Sequence, residues 1–164
     1  QDQISQLLGE CKRHEHPDLE TVVRICLATG ARWSEAESLR KSQLAKYKIT
    51  YTNTKGRKNR TVPISKELYE TLPDDKKGRL FSDCYGAFRS ALERTGIELP
   101  PGQLTHVLRH TFASHFMMNG GNILVLQRVL GHTDIKMTMR YAHFAPDHLE
   151  DVLRYNPFSN KALK

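Results

Sequence analysis

The chain has 164 residues, 38% of them hydrophobic and 26% charged, which is enough for one domain with its own core. Lys and Arg outnumber Asp and Glu by 25 to 18, a formal charge of +7, and that balance favours a polyanionic partner. No apolar run approaches the roughly 18 residues of a membrane span, and no basic amphipathic helix of the interfacial kind is present, so a membrane role is set aside.

Ile4, Leu7, Leu8 and Cys11 recur at helical spacing, which predicts an amphipathic helix over residues 2–13. Pro17 suits the start of a second helix, filled by Leu19, Val22, Val23, Ile25, Cys26 and Leu27 and stopped at Gly30. Ser34 with Glu37 matches a capping box and opens a third helix to about Leu44. Arg32 then falls in a tight connection between two helices. Residues 47–54 and 60–64 are rich in β-branched and aromatic side chains and read as two strands, with a hairpin turn over Lys55-Gly56-Arg57-Lys58-Asn59. Pro63 argues for an edge strand. Further helices are expected at about 66–72, 84–95, 106–119, 122–130, 134–143 and 147–154, with a polar tail after 155 that carries Phe158. There is no internal repeat. The fold class is α+β, mainly α-helical, with a small antiparallel hairpin sheet.

Cys11, Cys26 and Cys84 are odd in number and none lies in a CxxC pair. That supports neither a disulfide framework nor a zinc module and makes a reducing compartment the default. The chain opens at Gln1 and runs straight into a helical pattern, without a charged-then-apolar signal segment. It reads as a fragment of a longer protein.

Tyr141 lies nine residues after His132, and Arg109 lies 23 residues before that histidine. His106 and Arg109, three apart, share the first turn of one helix, whose N-terminus is a natural seat for phosphate. Arg109 adds a planar fork that matches two phosphate oxygens. Arg32 has Glu35 three residues on, either as a local ion pair or as a group that orients an active-site cation. Lys55, Arg57, Lys58 and Arg60 make a cationic tip, either solvated or inserted in a DNA groove. Lys55, at the strand end, is the best placed to donate a proton to a leaving alkoxide. His132 follows a helix end, and Tyr141 follows Met137 and Met139, a setting common for core tyrosines. Each residue singly has a plain structural explanation.

The chain has no HExxH run, no carboxylate cluster fit for two Mg²⁺ ions and no GxxxxGK[ST] loop. No metal and no other cofactor is therefore expected. Arginines, a lysine and histidines are what a cofactor-free phosphoryl transfer would use to stabilise its transition state.

The order of these motifs is recognisable. Thr29-Gly30-Ala31-Arg32-Trp33-Ser34-Glu35, then Thr54-Lys55-Gly56, His106-Val107-Leu108-Arg109-His110-Thr111, Leu130-Gly131-His132 and Tyr141 together resemble the tyrosine recombinase (phage integrase) family. The match runs from about residue 19 to 150. The wording from Leu126 to His132 and from Met137 to Phe144 is most similar to integrases of temperate coliphages of the P-two-like type. The resemblance implies a DNA breaking-rejoining catalytic domain over 1–164, preceded in the family by core-binding and arm-binding domains. By the same resemblance Arg32 and Arg109 would clamp the scissile phosphate, His106 would hydrogen-bond it and assist proton transfer, and His132 would support the same phosphate. Lys55 would be the general acid and Tyr141 the nucleophile that forms a 3′-phosphotyrosine.

Double-stranded DNA at attachment sites would be the substrate. Other implied partners are further copies of the chain, as a solution dimer or a tetramer on paired sites with C-terminal tails exchanged through Phe158, a host DNA-bending protein and an excisionase. The setting would be the bacterial cytoplasm, at the nucleoid. The alternatives are a type IB topoisomerase, which shares the chemistry without pairing sites, and an inert DNA-binding module.

Overall fold

The structure is a computed structural model that describes residues 1–52 and 58–159. Helix α1 (Asp2–Arg13) buries Leu7 and Cys11, with Asp2 in its first turn and Lys12 and Arg13 in its last, charges that suit the helix dipole. It packs on α2 (Leu19–Thr29) and on α5 (Tyr85–Thr95). Helix α2 is the central one: Leu19, Val22, Val23, Ile25, Cys26 and Thr29 are all buried. It stops where expected, at Gly30, which takes a left-handed φ of 70°. A Cβ built there would lie 2.5 Å from Phe112 Cδ1 and 2.9 Å from Leu130 Cδ2. Conformation and space both demand glycine, and the backbone at residue 30 can therefore lie close against two later helices.

Helix α3 differs from expectation. It spans only Trp33–Glu37, followed by a 3₁₀ turn at Lys41–Gln43 and a short strand β1, Leu44–Ala45. The expected helix to residue 44 is cut short because the backbone of 39–41 pairs with a distant segment instead. Leu80 N donates to Leu39 O, and Lys41 N to Gly78 O, both at 2.9 Å. The capping partners differ too. Arg32 is the N-cap, and its backbone N–H donates to Glu35 Oε1 at 2.8 Å. Glu37, expected to serve the cap with Ser34, accepts from Trp33 Nε1 at 2.9 Å and Cys84 N at 3.0 Å. It thereby ties α3 to the start of α5.

Strand β2 (Lys48–Tyr51) pairs antiparallel with β3 (Arg60–Pro63), and β1 adds a third strand on the other side of β2. Pro63 thus lies on an edge strand, where its missing N–H is harmless. Ile49, Tyr51, Arg60 and Val62 all lie on the buried face. The end of the first expected strand and most of its turn, residues 53–57, lie outside the described residues.

The remaining helices are α4 (Lys66–Thr71), α5, α6 (Val107–Met118), α7 (Ile123–Leu130), α8 (Ile135–Met139) and α9 (Asp151–Tyr155). The first four agree with the sequence to within about a residue at each end. The last two are shorter: α8 stops at Met139, so Tyr141 sits at the head of a 3₁₀ turn, Ala142–Phe144. Two apolar clusters result. The large one gathers α1 to α5, the sheet and Leu108, with Trp33 stacked on Phe88 at 4.7 Å. The small one holds Ala113, Met117, Leu126, Leu130 and Tyr141. Cys11, Cys26 and Cys84 are free thiols buried in the large cluster.

Candidate active site

Arg109 lies between the two clusters. It is 5% exposed. Its Nη1 donates to Gly30 O at 2.8 Å and its Nη2 to Leu130 O at 2.5 Å. One guanidinium thus joins the end of α2 to the end of α7, and the glycine at 30 is what brings the first of those carbonyls close. Burial, and then the charges of Arg32 and Arg60, push the group down to about 10, so it remains a cation at neutral pH.

Arg32, 31% exposed at its side chain, faces Glu35 at 3.9 Å. The main partner of Glu35 is Arg60. Arg60 Nη1 and Nη2 donate to the two carboxylate oxygens at 2.8 Å each, while its Nε donates to Val129 O at 2.8 Å. The guanidinium also lies 4.8 Å from the centroid of the Tyr51 ring. Expected at a cationic tip, Arg60 is instead 8% exposed at its side chain. Its place as a DNA contact is therefore corrected: this arginine points inward and braces β3 against α3 and α7. Strand alternation is the physical reason, since 60 shares a face with Val62. Removing one partner from such a pair costs about 3–5 kcal/mol. Burial alone would raise the Glu35 carboxyl, but the bonds and charge of Arg60, aided by Arg32, hold it below the ordinary carboxylate value. Two guanidinium groups, of Arg32 and Arg60, thus face one carboxylate, and Arg109 is near enough to feel all three charges, leaving an excess of positive charge that suits an anion.

His106 is the exposed N-cap of α6, and Arg109 follows in its first turn. His132 stands just past Gly131, which is left-handed at φ 73°. Its Nδ1 is 2.7 Å from the buried hydroxyl of Thr138, which fixes the ring. Tyr141, 5% exposed, closes the small cluster, and its hydroxyl is hydrogen-bonded to Nδ1 of His110. Burial raises the phenol above its ordinary value although Arg140 and Arg109 pull it down, so the resting side chain is a neutral phenol. A cleft of about 400 Å³ borders His110, Arg140 and Tyr141.

The structure therefore brings together Arg32, Glu35, Arg109 and Tyr141, with His106 on the helix of Arg109 and His132 beside the helix that leads to Tyr141. Lys55 and Arg57 lie outside the described residues, and Lys58 is exposed. Among the described residues no three His, Cys, Asp or Glu side chains converge as a metal-holding group. The sequence reading named Arg60 only as part of a cationic tip and missed its inward role, and it gave no role to His110. Arg60 could have been found from strand parity. The contact between His110 and Tyr141 joins residues 31 positions apart and has no local signature.

A profile of the phage integrase family matches residues 1–80 and 76–148. The chain belongs to the phage integrase family. The integrase of Escherichia phage 186 is 95% identical over 156 residues, covering 95% of this chain and 46% of that protein. The integrase of Escherichia phage P2 is 48% identical over 141 residues, covering 85% of this chain and 42% of that one. The solved catalytic domain of bacteriophage HP1 integrase matches with a TM-score of 0.94 at 66% identity, covering 98% of this chain and 95% of that one. The expected likeness to P-two-like integrases and the expected α+β fold both hold. This integrase-family chain spans about half the length of the curated relatives it matches.

Proposed function

We propose that this chain is the catalytic domain of a site-specific DNA recombinase that cleaves and rejoins strands through a 3′-phosphotyrosyl intermediate, serving integration and excision of a prophage. One observation carries the reading: the buried Arg109, the Arg32–Glu35 pair and the Tyr141 hydroxyl lie where α2 and α7 end and α6 begins, in a site with surplus positive charge.

In this reading Arg32 and Arg109 bind the non-bridging oxygens of the scissile phosphate and stabilise the charge that grows on them in the transition state. Arg109 reaches the site with two of its donors already committed to carbonyls, so its plane is fixed before DNA arrives. That prior fixing is what electrostatic preorganisation requires. His106 and His132 support the same phosphate. The tyrosine oxygen attacks phosphorus, the bond to the 5′ oxygen breaks, and Lys55 supplies the proton that leaves with it as a 5′-hydroxyl. The phosphotyrosyl bond keeps the energy of the broken linkage, so a second 5′-hydroxyl can reverse the step with no cofactor. Lys55, Arg57 and Lys58 would bind the DNA backbone beside the cut.

Assembly with other copies is part of the proposal. Leu149, Val152, Leu153, Tyr155 and Phe158 form an apolar C-terminal segment that is largely exposed, Phe158 at 72%. A neighbouring subunit would cover it, in a dimer or in a tetramer on paired sites. A host DNA-bending protein and an excisionase would act with the longer protein, in the bacterial cytoplasm and at the nucleoid. No helix among the described residues is long and apolar enough to cross a membrane.

A nicked suicide substrate tests the core of the reading. Wild type is expected to give a covalent protein–DNA adduct on a denaturing gel and Tyr141→Phe none. An adduct that persists in Tyr141→Phe would remove Tyr141 as the nucleophile. Strand exchange that requires two specific sites, without relaxation of a plasmid lacking them, separates recombinase from type IB topoisomerase.

A further inference from the structure

We propose that His110 is a further catalytic residue of this site. Its Nδ1 holds the Tyr141 hydroxyl in the resting protein and takes that proton as the tyrosine oxygen attacks phosphorus. The proposal rests on the reading of Tyr141 as the nucleophile.

The geometry is direct. His110 lies one turn after His106 on α6, and its ring nitrogen is bonded to the atom that would react. The rings follow one another: His106 to His110 at 5.9 Å between centroids and His110 to Tyr141 at 5.8 Å. The position is held by the helix itself, since His110 N donates to His106 O at 2.9 Å and Ser114 Oγ donates to His110 O at 2.8 Å. Tyr141 is fixed from its own side by its backbone N–H, which donates to Thr138 O at 3.0 Å. The bond is already formed in the resting protein, with Tyr141 buried in the small cluster.

The charges around His110 decide which group donates. From the segment after α8 come Tyr141 and Arg140; from α6 itself come His106 and Arg109. Burial first, then the charges of Arg140, His106 and Arg109, lower its basicity, so the ring is neutral at physiological pH. A neutral imidazole bonded through Nδ1 to a neutral phenol places the hydrogen on the oxygen, because the phenol is the stronger acid and the ring nitrogen the better acceptor. The ring is then the tautomer with its hydrogen on Nε2.

The step balances. The O–H bond of Tyr141 breaks and its proton passes to Nδ1, while the oxygen bonds phosphorus and the bond to the 5′ oxygen breaks. The leaving oxygen takes its proton from the general acid. Imidazolium is left among Arg140 and Arg109, surroundings that favour giving the proton back. Rejoining needs that return, because Tyr141 must leave phosphorus as a phenol. One histidine would thus serve cleavage as base and religation as acid, in keeping with microscopic reversibility.

The test is single-turnover adduct formation on the nicked substrate by the intact chain, with His110→Ala and His110→Asn beside wild type. The asparagine keeps a hydrogen-bond acceptor on a short side chain but cannot take a proton. Both variants should form adduct about 100-fold more slowly at pH 7, the scale of general-base catalysis, with DNA affinity unchanged. Their rates should climb steadily with pH, whereas wild type levels off above the His110 transition. A wild-type rate in His110→Ala, or full rescue by His110→Asn, overturns the role. No adduct in wild type overturns the nucleophile reading and this one with it. Nitrogen-15 NMR gives a readout independent of cleavage. Wild type should show the Nε2–H tautomer of His110 with a hydrogen-bonded Nδ1, and Tyr141→Phe should lose that bond. Its absence from wild type also overturns the proposal.

Discussion

The two apolar clusters carry different parts of the site. The large one, built on α2 and the sheet, holds Arg32, Glu35 and Arg60 in place through buried backbone and a bidentate ion pair. The small one, on α6 and α7, holds Tyr141 and stands next to His132. The groups that would bind phosphate are anchored in a broad core, whereas the group that would attack it belongs to a cluster of five buried side chains. Few contacts hold such a cluster, and regions of that kind open at lower free energy than the rest of a domain. Rigid binding and a more easily displaced attacking group suit the proposed function, in which Tyr141 joins DNA and later releases it. Arg109 joins the halves, with one hydrogen bond to each.

That comparison breaks most sharply at Arg109. Arg109→Ala should lower cleavage by at least about 10³-fold, given 10²–10³ for losing a single transition-state donor. It should also destabilise the fold, because the carbonyls of Gly30 and Leu130 each lose a partner at about 1–3 kcal/mol for a buried group. Arg32→Ala should cost cleavage about 10²–10³-fold and leave the thermal midpoint nearly in place. Thermal melts beside suicide-substrate kinetics check both. Equal destabilisation by the two substitutions would erase the distinction between a joining arginine and a binding one.

Glu35→Gln should cost about 3 kcal/mol at pH 7, at the low end for breaking a buried pair. The carboxyl is held below its ordinary value in the folded protein. Its contribution is therefore complete above the unfolded pKa of about 4.3 and is lost as pH falls through the lower folded value. Urea melts should show the gap between wild type and Glu35→Gln closing below about pH 4. A gap that stays constant down to pH 2 would mean that the carboxylate charge is not what braces β3.

Hydrogen exchange sharpens the comparison further. Amides of α7 and α8 should exchange faster than those of α2, because the small cluster opens without the large one. Uniform protection across both would show a single cooperative unit. The smallest effect belongs to the tail: Phe158→Ala should change the stability of the single chain by less than about 0.5 kcal/mol while weakening self-association in analytical ultracentrifugation.

The sequence shows most clearly what depends on neighbours in the chain. Gly30 as a helix stop, the hairpin, the edge proline and the helices from 66 to 130 follow from local periodicity and breakers. The proposed site residues stand out in the sequence because each sits in a short motif. What was not legible depends on distant partners. Helix α3 ends early because residues 39–41 pair with 78–80, and nothing near Ser38 announces it. Arg60 was readable in principle from its parity with Val62, but four basic residues in a run suggested a solvated tip. The bond between His110 and Tyr141 exists only once α6 and the turn after α8 come together.

The three cysteines give this chain a practical property. Burial pushes the thiols of Cys11 and Cys84 up to about 11 and about 12, and that of Cys26 higher still. Reactivity follows the thiolate fraction, so the native cysteines should stay dark to maleimide dyes in the folded protein. A single cysteine placed at exposed Met118 would then take a fluorophore without removing any native thiol. Energy transfer between copies labelled there would report the proposed self-association with every native thiol in place.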